Sequence, residues 1–143
     1  MIRNPAPILK FMSADRPYRI EFSGHGAREE GFLYVAEQGD IPFLVRRTFW
    51  TVNTPATVVR GGHAHHKTEM VLIALQGTII LHVEDKAGTQ WQFKLDRPDT
   101  GIYIPVMHWH TMVYEDQAVQ LVLASADYEE QDYIRDFRAF KRP

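Results

Sequence analysis

The chain has 143 residues, enough for one domain with a substantial core and too few for two. Hydrophobic residues make up 45% and charged residues 24%, ordinary globular usage that excludes a disordered chain; sixteen Lys plus Arg against eighteen Asp plus Glu leave a formal charge of -2, which disfavours nucleic acid as a partner. The lack of cysteine excludes a disulfide framework, a thiolate nucleophile and thiolate-ligated zinc.

The first twelve residues carry Arg3, Asn4, two prolines and Lys10 and do not read as a signal peptide. The longest apolar run, Met70 to Leu75, is far short of the roughly 20 residues of a spanning helix, so the chain reads as one soluble, cytoplasmic domain over 1–143 with no membrane partner. Residues 1–26 form an N-terminal extension, within which 18–22 reads as an edge strand suited to pairing with a second subunit. Strands follow over 31–37 and 43–52. In the second, Phe43, Val45, Arg47 and Phe49 are expected on one face, which puts an arginine in an apolar stripe; it needs an anionic ligand or an internal carboxylate. Residues 69–75 are apolar on both faces from Met70 on, the pattern of a central strand covered on both sides. Gln76-Gly77 marks a turn, and 78–84 then alternates Ile79, Leu81 and Val83 against Ile80, His82 and Glu84. A hairpin turn from Glu84 to Gly88 leads into 90–96, where Trp91, Phe93 and Leu95 oppose Gln92 and Lys94. After a turn from Pro98 to Gly101 come strands over 101–104, 111–114 and 119–125. Turn signals at a spacing of about 8–12 residues point to a sandwich or barrel. Only the C-terminus reads as helix: Tyr133, Ile134, Phe137 and Phe140 fall at helical spacing, with Asp132 as the cap, and the helix is expected to cover the domain without taking part in chemistry.

Five of the seven histidines lie in two short segments, Arg60-Gly61-Gly62-His63-Ala64-His65-His66-Lys67-Thr68-Glu69 and His108-Trp109-His110. Residues two apart on a strand share a face, so His63 and His65 point one way and His66 the other, with Glu69 continuing the first face if the strand is unbroken. Gly61-Gly62 lets the backbone bend just before the pair. Two uses fit. His63, His65, Glu69 and His110 form a set of three imidazoles and one carboxylate suited to iron, manganese or nickel. Alternatively, His63 and His65 exchange protons with a substrate near neutral pH. Arg60 and Lys67 flank the pair with positive charge, and Tyr103 and Trp109 offer aromatic faces for a base or sugar. His66 and His82 are expected on solvated faces and His25 in a loop.

The stretch 60–69 followed by Val71-Leu72-Ile73-Ala74-Leu75-Gln76-Gly77 resembles the nucleotide-sugar 3,4-ketoisomerases, the WxcM-like cupins. So do Leu95-Asp96-Arg97-Pro98 with Gly101-Ile102-Tyr103-Ile104-Pro105, Trp109-His110, and the tail Leu123-Ala124-Ser125, Tyr128 and Asp132-Tyr133-Ile134-Arg135-Asp136-Phe137. The resemblance implies an all-β double-stranded β-helix, the cupin jelly roll, with a short C-terminal helix, working as a homodimer without metal or cofactor. It implies conversion of dTDP-4-keto-6-deoxyglucose to a dTDP-3-keto-6-deoxyhexose through an enediol, on the way to deoxyaminosugars for lipopolysaccharide or other surface glycans. By position the resemblance makes His63 and His65 the catalytic pair and adds Arg60 and His110; with Arg47, Lys67, Glu69 and Tyr103 from the reading of the residues, the candidate substrate-binding set is Arg47, Arg60, Lys67, Glu69, Tyr103 and His110. The chain departs from the family in its long N-terminal extension, in Arg28-Glu29-Glu30-Gly31 before the first core strand, and in His108. A metal-dependent cupin and a non-catalytic sugar-nucleotide-binding cupin are the alternatives.

Overall fold

The computed structural model describes residues 14–37 and 39–143; the first half of the expected extension lies outside them. Among these residues ten strands run in the order β1 (Tyr18–Glu21), β2 (Ser23–Ala27), β3 (Gly31–Val35), β4 (Arg47–Thr51), β5 (Arg60–His65), β6 (Met70–Glu84), β7 (Gln90–Leu95), β8 (Thr100–Ile104), β9 (Trp109–Ala124) and β10 (Tyr133–Ile134), and one helix, α1 (Phe137–Lys141), closes the chain.

β6 and β9 form an antiparallel ribbon that is the spine of the fold. Its first half, Met70 to Ile73 against Leu121 to Ala124, is flanked by β8 and β1 on one side and β4 on the other. Its second half, Ile79 to Glu84, is flanked by β7, while the matching part of β9 pairs β5, and β5 pairs β10. Two sheets thus share one ribbon, and their inner faces meet in a core of Leu72, Ile104 and Val122 from one half and Ile79, Leu81, Leu95 and Tyr114 from the other.

The Gln76-Gly77 signal, expected to end a strand, is a bulge inside β6. Register shifts fall between Ala74 and Gln76 and again between Gln76 and Thr78. Before the bulge the even residues Met70, Leu72 and Ala74 face the core; after it the odd residues Ile79, Leu81 and Val83 do. One extra residue exchanges the faces of a strand, which lets β6 pass from one sheet to the next and stay buried on the right side. Gly77 sits at φ 69, and a Cβ there would lie 2.7 Å from the backbone of Ala118 and of the turn at Glu115 and Asp116. The segments expected as strands 111–114 and 119–125 are likewise one strand, interrupted by Asp116 and Gln117 at φ 54 and 53.

Met70 to Ala74 is buried on both faces as expected, but Leu75, the last residue of the apolar run, is 46% exposed. The outer face, Val71 and Ile73, packs with Tyr103, Ile20, Phe22, Ile41 and Phe43. Strand β1 pairs with β8 of its own chain on one side and is, as expected, an edge strand, with no partner on its other side among the described residues. The strand expected over 43–52 forms only from Arg47. Phe43 belongs to the outer cluster, while Phe49 packs on the inner one, so the two do not share a stripe. β2 and β3 form a separate two-stranded sheet in which His25 and Arg28 to Gly31 are all exposed. At the C-terminus, Tyr133 and Ile134 are a strand on β5, and the helix starts later: Asp136, not Asp132, caps it by accepting from the N–H groups of Arg138 and Ala139. A strand uses Tyr133 and Ile134 better than a helix does, because pairing with β5 covers an otherwise open edge.

Candidate active site

A cavity of about 250 Å³ opens between the two inner faces, and His63, His65 and His110 form one wall of it. β5 supplies the first two and β9 the third, with His63 directly opposite His110 in the ladder. The bulge at Gly61-Gly62 brings them together. Gly61 is at φ 79, and a Cβ there would lie 2.6 Å from the carbonyl oxygen of His110, so this crossing requires glycine. The rings of His63 and His65 are 5.0 Å apart between centroids, and those of His63 and His110 4.7 Å.

Each ring is oriented differently. His65, 2% exposed, places Nδ1 3.0 Å from a carboxylate oxygen of Asp132, itself 4% exposed. Asp132 also accepts from the Lys67 N–H at 2.7 Å and from the Thr68 hydroxyl. Burial raises the Asp132 carboxyl, but the hydrogen bonds from Thr68, the Lys67 backbone and His65 outweigh it and hold the group below its usual value. An ionised carboxylate only accepts, so His65 carries its proton on Nδ1 and turns a bare Nε2 lone pair outward. That nitrogen is buried without a partner, as is Nδ1 of His63. His110, 1% exposed, has Nδ1 3.2 Å from the carbonyl oxygen of His108, which fixes it in the same tautomer. Burial lowers all three imidazoles: His63, also beside His65 and Arg135, to about 4, His65 against the opposing pull of Asp132, and His110 well below the ordinary value. All three are neutral at neutral pH, the form that takes up a proton.

The remaining wall is polar and aromatic. Tyr133 lays its ring 4.4 Å from that of His65 and 5.0 Å from that of His63. Arg135 stacks over Tyr133 at 4.3 Å and pairs with Glu130 at 2.9 Å. Thr51, Arg60, Tyr114 and Gln120 line the far side, where the Tyr114 hydroxyl donates to Gln120. Arg47 points inward on β4, its guanidinium over the rings of Phe49 and Tyr128 at 5.3 and 5.6 Å, with a buried Nε that has no hydrogen-bond partner. Among the described residues no ion pair to Arg47 is formed.

The structure thus gathers His63, His65, His110 and Arg60 around one cavity, with Arg47 close to its wall. Three predicted residues, Glu69, Tyr103 and Lys67, lie elsewhere: Glu69 faces the outer cluster and accepts from the Tyr103 hydroxyl, so neither of these two reaches the histidines. The strand parity that places His63 and His65 together does not continue to Glu69, because the chain turns between His65 and Met70. The three-imidazole, one-carboxylate set is therefore reduced to its imidazoles. Lys67 pairs with Glu129 at 2.7 Å, half-exposed and away from the lining. His66 and His82 are exposed. Sequence reasoning missed Asp132, Tyr133 and Arg135 by assigning them to a covering helix; their signal was the quoted motif Asp132 to Phe137 itself, with a lone acid placed before an aromatic and β-branched pair.

An all-β jelly roll of two sheets on one shared ribbon, with histidines gathered on the inner face, defines a cupin. Residues 18–143 match the family described as FdtA: WxcM-like, C-terminal, and the chain belongs to that family. It is 37% identical over 109 residues to the TDP-4-oxo-6-deoxy-alpha-D-glucose-3,4-oxoisomerase of Aneurinibacillus thermoaerophilus, covering 76% of this chain and 78% of that one. Among solved structures it is similar to an asparagine-for-histidine mutant of the 3,4-ketoisomerase QdtA from Thermoanaerobacterium thermosaccharolyticum in complex with TDP-4-keto-6-deoxyglucose, at TM-score 0.83 and 28% identity over 90% of this chain and 93% of that one. It is also similar to the WlaRB TDP-quinovose 3,4-ketoisomerase of Campylobacter jejuni, at TM-score 0.83 and 29% identity over 91% and 100%.

Proposed function

We propose that the chain is a dTDP-4-keto-6-deoxyglucose 3,4-ketoisomerase that works by proton transfer through an enediol, with His65 as the base. The observation that carries this reading is the bare, buried Nε2 of His65 on the cavity wall, its ring held from behind by Asp132. The activities named for the relatives support it.

The hydrogen on C3 of a 4-keto sugar is acidic because the carbanion delocalises onto the C4 oxygen. His65 takes that proton on Nε2. The electron pair of the broken C–H bond becomes the C3=C4 bond, and the C4 oxygen becomes an enolate that is then protonated. Asp132 balances the imidazolium. Collapse in the other sense gives the product: the C3 hydroxyl loses its proton, C3=O forms, and C4 takes a proton from the imidazole pair. His63, on the same face and 5.0 Å from His65 between ring centroids, serves the neighbouring ring carbon. Every electron pair stays within the sugar, so no redox cofactor enters the balance.

Arg47 and Arg60 hold the diphosphate. An inward arginine with no ion pair and a buried unpartnered Nε is stabilised by an anion, and a bidentate phosphate supplies one. His110 lines the sugar end, and Lys67, Glu69 and Tyr103 act on the scaffold. The 3-keto product is what an aminotransferase needs to place nitrogen on C3, which sets the enzyme before such a step in deoxyaminosugar biosynthesis. A homodimer completes the reading, supported by the β2–β3 hairpin, which exposes Phe32 and Leu33 at 60% and 63% and is too small a sheet to be stable unaided. Incubation of chelator-treated protein with dTDP-4-keto-6-deoxyglucose tests the activity: a 3-keto isomer is expected, and turnover that is abolished by chelation and restored by a divalent ion contradicts the scheme.

A further inference from the structure

We propose that the buried amide of Gln120, held by Tyr114 and accompanied by Thr51, binds the C2 hydroxyl of the hexose and makes the site selective for sugars that carry it. That a hydroxyl binds there stands on the geometry of the cavity wall; which hydroxyl it is rests on the ketoisomerase reading.

Gln120 is 1% exposed and lies on β9 between Ala118 and Val122, both part of the inner core. Its Oε1 accepts from the Tyr114 hydroxyl, and among the described residues no group accepts from its Nε2. Gln120 nevertheless lines the cavity that holds the histidines. A buried donor without an acceptor is destabilising, and an apolar side chain of the same size would fill this place in the core without that cost. The amide therefore serves what enters the cavity. Tyr114 fixes its direction. Burial pushes that phenol up to about 12, so it remains a donor to Oε1 throughout the neutral range and leaves the N–H pair as the free end.

Thr51 stands directly opposite Gln120 in the ladder between β4 and β9 and lines the same cavity. Its hydroxyl accepts where the amide donates. A donor and an acceptor side by side match a hydroxyl, which does both; a carbonyl, an ether or a phosphate oxygen only accepts. In dTDP-4-keto-6-deoxyglucose C1 carries the diphosphate, C4 the carbonyl and C6 is a methyl, so the hexose has hydroxyls on C2 and C3 alone. The C3 hydroxyl belongs to the reaction at the imidazole pair, which leaves the C2 hydroxyl for Gln120. C2 joins the reacting C3 to the diphosphate-bearing C1, so a group that reads it must adjoin both the histidines and a cation. The inward positions of β9 run His110, Met112 and Tyr114, and Arg60 sits opposite Met112. Tyr114 and the amide it holds are thus one inward step from Arg60, on the wall that begins at His110.

The test measures, by titration calorimetry on the full chain, the binding of dTDP-6-deoxyglucose and of dTDP-2,6-dideoxyglucose. The two differ only in the C2 hydroxyl, and neither has the 4-keto group that reacts. Wild type should prefer the first about 5–100-fold, the range for a hydroxyl whose loss leaves buried polar groups unpaired. Gln120→Met, close in shape and without a donor, should lose the preference by weakening dTDP-6-deoxyglucose while dTDP-2,6-dideoxyglucose binds as before. A glutamine that only supports the core would weaken both alike, and that result overturns the proposal. Should Gln120→Met fail to fold by circular dichroism because Tyr114 lacks an acceptor, the double variant Tyr114→Phe/Gln120→Met removes both partners and gives the same reading. Equal affinity of wild type for the two nucleotide sugars, or a preference that survives the loss of the amide, also overturns it. Turnover is scored separately: failure of wild type to convert dTDP-4-keto-6-deoxyglucose contradicts the ketoisomerase reading, while a preference lost with the amide leaves the Gln120 contact standing.

Discussion

Asp132 accepts the Nδ1 proton of His65 at 3.0 Å across 67 positions of sequence, with both side chains almost wholly buried. The contact exists because β10 pairs with β5 in a register that sets Tyr133 opposite His65 and leaves Asp132 one residue before it. A carboxylate held below its usual value by three donors is a fixed negative charge behind the ring. It orients the imidazole and stabilises it after proton uptake.

Asp132→Asn should therefore lower kcat by at least about 10², within the range of general acid–base assistance, and change KM little. The amide can present an N–H to Nδ1 and force the proton onto Nε2, which removes the lone pair. Steady-state kinetics with circular dichroism as a fold check reads this. An unchanged kcat shows that the carboxylate only secures the loop.

His63→Asn and His65→Asn should each remove most of the turnover while dTDP-sugar binding persists, because asparagine keeps a polar group and cannot take up a proton. The expected loss is about 10²–10⁴ in kcat. His66→Asn, exposed in the bend just past the end of β5, should match wild type. Equal damage at His66 defeats the assignment of faces.

Arg47→Met should act on binding. Charge-assisted hydrogen bonds contribute about 1.5–3 kcal/mol, so KM should rise about 10–150-fold with a smaller change in kcat. Methionine retains packing against Phe49 and Tyr128, which separates the lost charge from lost volume. Arg60→Ala should shift KM in the same direction. Equilibrium binding of dTDP by titration calorimetry checks both, and unchanged affinity in both variants removes the arginines from the site.

Gly61→Ala should cost about 1–3 kcal/mol of stability, since it adds left-handed strain and forces Cβ against the His110 carbonyl. The crossing of β5 over β9 sets the spacing of His63 and His110, so kcat should fall with it. Chemical denaturation measures the first effect, and a wild-type midpoint shows that the bulge relaxes freely.

Much of the site was legible in sequence because it is local. Two histidines two apart, preceded by two glycines, reveal their common face through strand periodicity alone. The fold was legible in its short alternating strands, and its long ones were divided where turn chemistry served a bulge. Gln76-Gly77 reads the same whether the chain reverses or only exchanges faces, and the pairing partner on β9 decides. Alternation places Arg47 on the face of Phe49, as the structure has it, but it also draws Phe43 and Val45 into the same stripe because nothing local marks that β4 begins only at Arg47. Asp132 was invisible to periodicity. An acid before an apolar pair is an ordinary helix cap, and only the pairing of β10 with β5 turns it toward a histidine far away in the chain.

The central claim is tested most directly by NMR of the reaction of dTDP-4-keto-6-deoxyglucose in deuterated water. Proton transfer through an enediol predicts a 3-keto product carrying deuterium at C4, delivered to a single face, with the signal lost in His65→Asn. A product whose C4 hydrogen is wholly retained from C3 in every turnover contradicts proton exchange between the imidazoles and solvent during the reaction, and complete recovery of the 4-keto sugar with no product and no exchange at C3 contradicts the base itself.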